Sequence, residues 1–195
     1  MEAKHMERAG WACFVSAVIT IPMVILEVMI EFSKKVPEVR AVEAILSLIS
    51  LFIFIYILHS LRRLLVEQFN FGLVETHIKM MIWINVILVG SSILSDTFLP
   101  LEKMTGILYL IGLIVFGIVL IAFGFKLTNL RDPIGGRLRP FCYSSIATGV
   151  CFASVILLPL GLLGSIVMDV LLALIFFQMA ERVSANIGSN DRRIL

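Results

Sequence analysis

Six apolar stretches, each about long enough to cross a bilayer, take up most of this chain, and nearly all of its charge is pooled in the gaps between them. A hydrocarbon core roughly 30 Å thick needs about 20 mostly apolar residues of helix, at a rise of about 1.5 Å per residue. The pattern therefore predicts an all-α, polytopic integral membrane protein, a bundle of six transmembrane helices arranged as three hairpins. The expected spans are 10–30, 41–61, 78–98, 105–126, 142–161 and 163–181. Composition agrees: 59% of the 195 residues are hydrophobic and 15% charged, against about 45–50% and 25% in soluble globular proteins. No Pro/Gly/Ser-rich linker or charged spacer divides the hydrophobic blocks, so residues 1–195 read as a single transmembrane helical domain.

The edges of the spans carry their own signals. Pro37 sits in the first loop, Pro100 precedes the fourth span, and Pro140 precedes the fifth, where a missing N–H is harmless. Asp132-Pro133-Ile134-Gly135-Gly136 reads as a turn. Lys4 and Arg8 stand before the first apolar run as they would in a signal peptide, but Glu31-Phe32-Ser33 ends that run without a small-x-small cleavage site. The segment is expected to be kept as a span.

Basic residues are retained on the cytoplasmic face, and here they set the orientation. With the N-terminus inside, only Lys34, Lys35, Arg40 and Lys103 of the 16 Lys and Arg residues fall outside. Both termini are thus expected in the cytoplasm, as in a multi-pass protein of a prokaryotic cytoplasmic membrane. Trp11, Trp83 and Tyr143 then gather at the inner interface, where amphipathic rings prefer to sit. Beyond the second span, Leu61, Leu64, Leu65 and Phe69 keep helical spacing, so that helix should continue inward as a snorkelling end or, alternatively, a partner-docking face.

Helices in lipid associate through small residues and side-chain hydrogen bonds rather than through a hydrophobic drive. Ser145, Gly149 and Ala153 make a small-residue row in span five, with Ala147 and Cys151 as a second, and nominate this helix as the central packing element. Span four has Gly106, Gly112, Gly117 and Gly124 at irregular spacing, a weaker signal. Gly90, Ser95 and Pro100 are echoed by Gly149, Ser154 and Pro159, which is either a duplicated hairpin or, by default, coincidence.

Ionisable groups inside a bilayer are costly and begin as functional candidates. Asp169 is the deepest, about two turns from the outer end of span six, with no basic residue at its depth. It reads either as a structural aspartate bonded to Ser91, Ser92, Ser154 or backbone carbonyls, or as a contact for protons, cations or a polar ligand. Glu27, Glu43 and Asp96 lie near the outer ends of spans one to three and could join it as ligand or ion contacts. They read equally as solvated helix ends. On the inner side Arg131, Arg137 and Arg139, with Arg62 and Arg63, are placed to anchor lipid headgroups.

Other chemistries lack a signature. No Gly-x-Ser-x-Gly elbow, HExxH or Ser/His pairing occurs within the spans, and Gly90-Ser91-Ser92 lies away from His5, His59 and His77. No cofactor, metal or catalytic residue is assigned, and the small net charge of +2 gives no nucleic-acid footprint. The expected partner is the lipid bilayer, with room for a membrane-protein partner or a homo-oligomer. The leading expectation is non-enzymatic binding or transport of a small solute or ion. An accessory subunit of a membrane complex is the first alternative, and a lipid-modifying enzyme using the outer carboxylates the second.

Overall fold

A computed structural model describes the backbone over residues 3–32, 37–69, 71–97, 102–130, 136–154 and 156–191, and the side chains over 3–23, 25, 42–69, 71–93, 104, 106–130, 136–154 and 156–185. In lipid each backbone N–H and C=O must be satisfied within the chain, which helices do segment by segment. The described residues are accordingly helical: α1 (Ala3–Phe32), α2 (Pro37–Phe69), α3 (Glu75–Thr97), α4 (Glu102–Thr128), α5 (Leu138–Ala153) and α6 (Leu158–Asp191), with a single 3₁₀ turn at Gly72–Val74 ahead of α3. Among them four stretches, Val42–Phe69, Gly72–Ile93, Gly106–Thr128 and Leu158–Ala185, are long and apolar enough to cross a membrane.

The fifth helix departs from expectation. It ends at Ala153 rather than 161, and α6 begins at Leu158 rather than 163. Pro159 is the cause, because proline is tolerated in a helix's first turn and not deep inside one. Ahead of it the Ser154 hydroxyl donates to the Cys151 carbonyl at 3.0 Å, and the Ser154 N–H donates to Val150 O at 3.0 Å. Sixteen residues rise only about 24 Å, so α5 is the shortest of the six helices.

Each helix packs against its neighbours in sequence, and α6 packs against α1, so the six close into a ring with no close backbone approach across it among the described residues. The tightest seam joins α4 and α5. A Cβ at Gly117 would lie 2.6 Å from Gly149 O, and one at Gly149 would lie 2.7 Å from Gly117 O. A Cβ at Gly124 would come within 3.1 Å of Cys142 O. Gly117 and Gly124 stand two turns apart on one face, which the overall irregularity of the α4 glycines hides. The row Ser145, Gly149 and Ala153 does face a neighbouring helix as expected, but α5 occupies one place in the ring and not its centre.

In the same seam the buried Ser145 hydroxyl donates to Leu120 O at 3.3 Å. Interhelical bonds of this kind contribute about 0.6 kcal/mol. Ser145→Ala should therefore lower the melting temperature by roughly 1–2 °C, measured by thermal unfolding in detergent; a loss several times larger would mean the hydroxyl has a further partner.

The other seams also rest on glycine or charge. Gly10 of α1 lies against the Phe177 ring of α6, where a Cβ would meet Cε1 at 2.9 Å, and Trp11 stacks edge-on to that ring with centroids 5.8 Å apart. Gly112 receives Leu88 of α3. Between α2 and α3, Arg62 donates to Glu75, which also pairs with Lys79 at 3.0 Å, while Arg63 bonds Glu67 within α2 at 2.6 Å. Glu75→Gln should lower stability slightly at low salt, with the difference from wild type vanishing near 1 M salt as screening removes exposed ion pairs; a salt-independent loss would point to packing instead.

The packed core sits at one end of the ring, where α1, α3 and α5 begin and α2, α4 and α6 run out. Met6, Leu64, Ile78, Phe123, Phe141 and Phe176 are all fully buried there. Leu61, Leu64 and Leu65 belong to this core, so this face of the inward extension of α2 is used internally. Toward the opposite end, Leu88 and Leu113 are buried only to 8% and 9% exposure. The echoed glycines differ too: Gly149 is packed on backbone, whereas Gly90 has nothing within 4 Å of a would-be Cβ.

Candidate functional site

Closing six helices into a ring whose backbones do not meet across it leaves space in the middle. A cavity of about 260 Å³ lies there, with residues from every helix in its wall. At roughly 30 Å³ per water, it has the volume of eight or nine waters, near the small end of ligand sites. Its floor, toward the packed end, is Leu61, Met81, Phe123 and Phe141. Phe54, Phe116 and Phe152 form an aromatic side wall, their rings linked at centroid distances of 6.3 and 6.0 Å.

Against this apolar wall stand a few polar groups. Asp169 and Ser165, one turn apart on α6, face Ser16 and Thr20, one turn apart on α1; Asn85 comes from α3 and Thr148 from α5. The α1–α6 seam at Gly10 and Phe177 brings the two polar faces together, with the Ser16 hydroxyl beside the Asp169 carboxyl. Thr20 donates its hydroxyl proton to Ser16 O at 2.9 Å, and Ser165 donates to Leu162 O at 2.7 Å. A hydroxyl spent in this way keeps its lone pairs for the cavity.

Thr148 is different. It is 2% exposed, yet its Oγ1 has no hydrogen-bond partner. Buried hydroxyls are normally satisfied; this oxygen is packed against Gly164 of α6, while the residue takes part in the cavity wall.

Asp169 is half-buried and lines the cavity with no Lys, Arg or His beside it in the described wall, but its surroundings differ from those expected from the sequence. Ser91 donates to Leu88 O at 2.8 Å and Ser154 to Cys151 O, so neither hydroxyl is spent on Asp169, and Ser92 is not in the cavity wall. Glu43 is half-buried on α2 and is not in the wall. The side chains of Glu27 and Asp96, and all of Arg131, lie outside the described residues. Arg137 and Arg139 are exposed at the start of α5, and Arg62 and Arg63 carry the ion pairs described above. Among the described residues no three His, Cys, Asp or Glu side chains gather to hold a metal ion. Ser16, Thr20, Asn85, Thr148 and Ser165 were not singled out by sequence, although the pairs Ser16/Thr20 and Ser165/Asp169 both show the four-residue spacing of one helical face.

Against protein-family models, curated proteins and solved structures, the chain finds no match.

Proposed function

We propose that this is a six-span protein of a prokaryotic cytoplasmic membrane, with both termini inside, that binds a small solute or ion in its central cavity and moves it across the bilayer. The observation that carries the reading is a ring cavity bounded by all six helices, with one carboxyl and a few hydroxyl and amide groups in a largely apolar wall. Intramembrane acids that face a cavity mark solute and ion paths more often than packing sites. For the orientation, Trp11, Trp83 and Tyr143 are 57%, 68% and 65% exposed and all belong to the packed end, where the basic residues also cluster. That end is the cytoplasmic one. The large exposed apolar surface of the helices faces lipid.

Topology is tested by cysteines placed at Lys34 and Arg137, which must label from opposite sides of the membrane; labelling of both from one side would break the six-span reading. Movement of solute is tested by Ser165→Cys in a Cys151→Ser background, Cys13 and Cys142 being buried. Membrane-impermeant methanethiosulfonates should reach this position from either face of sealed vesicles as the cavity exchanges access. Reaction from one face only would reduce the protein to a binder.

A further inference from the structure

We infer that the cavity's solute is a lipophilic organic monocation, its ammonium head at Asp169 and its apolar body against Phe54, Phe116 and Phe152. This rests on the reading that the cavity takes a solute.

Charge comes first. Asp169 is the single ionisable residue in the described wall, and no Lys, Arg or His accompanies it. A carboxylate removed from water without a counter-charge is strongly unfavourable, and a bound cation supplies the missing partner where an anion would add a second uncompensated charge. Hydrogen-bonding capacity points the same way. Thr20 and Ser165 have turned their protons onto their own helices, so these two hydroxyls offer the cavity oxygen lone pairs, the complement of an N–H-bearing or alkylated ammonium, and the Ser50 hydroxyl and Asn85 amide share the wall with them.

The rest of the wall separates an organic cation from a metal ion. A hard divalent cation wants about six to eight oxygens, several of them carboxylate as a rule, whereas this wall has a single carboxylate and is lined mostly by apolar and aromatic side chains. Phenylalanine faces attract cations within about 6 Å of their centroids, most strongly when desolvated, and they pack equally well on an aliphatic or aryl body. A volume of about 260 Å³ holds a small substituted ammonium and excludes a large one.

The test is the rate at which the cationic trimethylammonium-ethyl and the anionic sulfonatoethyl methanethiosulfonates modify Ser165→Cys in the Cys151→Ser protein, each normalised to its rate with 2-mercaptoethanol. A charge a few ångströms from the reacting sulfur should favour the cation by at least about tenfold. The preference should fall to about one on adding Asp169→Asn and return with Asp169→Glu. Equal normalised rates, or a faster anion, would overturn the cation and leave solute entry intact. Failure of both reagents to react would overturn the cavity reading as well. A cation preference that survives Asp169→Asn would assign the selectivity to another group and also overturn the inference.

Discussion

Gly149→Val should lower the melting temperature by roughly 6–12 °C. A Cβ at Gly149 meets Gly117 O at 2.7 Å and the Ile121 N–H nitrogen at 3.0 Å. These are backbone atoms of a helix, which cannot swing aside as a side chain can. Overpacking of this kind costs about 3 kcal/mol, and for a chain of this size each kcal/mol corresponds to about 2–4 °C. Valine also stiffens the side chain at χ1, leaving fewer ways to relieve the clash. The matched control is Gly90→Val, on a face where a Cβ meets nothing within 4 Å, and which should leave the melting temperature nearly unchanged. Thermal unfolding of the two purified variants in one detergent compares them directly. Equal losses would mean that the α4–α5 seam does not hold the ring together.

Asp169→Asn should weaken binding of benzyltrimethylammonium at least about tenfold, a loss of about 1.4 kcal/mol or more, while shifting the melting temperature by no more than about 2 °C. Asparagine has the shape of aspartate and can still accept the Ser16 hydroxyl, so a purely structural role survives the exchange. The charge does not. Isothermal titration should show that neopentylbenzene, the uncharged carbon analogue, binds wild type and variant alike. A variant that loses stability but binds the ammonium unchanged would return Asp169 to the structural role.

How far these features could be seen in the sequence depended on their range. The helices follow from apolar runs, a local property, and five of the six were placed within a few turns; α1, α2 and α6 run further than expected because their polar ends continue the helix beyond the apolar stretch. The α5–α6 boundary slipped because hydropathy is continuous across Leu158-Pro159-Leu160, and only the preference of proline for a first helical turn divides it. Asp169 stood out because a lone acid in an apolar run is visible without a fold. Its partner Ser16 lies more than 150 positions away in the chain, and pairing of the first helix with the last is a matter of ring closure. Thr148 and Asn85 were hidden for the same reason: a hydroxyl or amide in a membrane helix is unremarkable until the ring decides which way it faces. Glycine was legible where it belonged to one regular row of small residues, as at Gly149 in α5, and obscure where Gly117 and Gly124 shared α4 with glycines that serve other neighbours.

The most direct measurement is an experimental structure of the protein with benzyltrimethylammonium bound. The account predicts the ligand inside the ring, its nitrogen beside the Asp169 carboxylate and within about 6 Å of a phenylalanine centroid, with Thr148 lining the same space. A structure in which Phe54, Phe116 and Phe152 fill that space and Asp169 is sealed against Ser16, with no ligand between the helices, would contradict it.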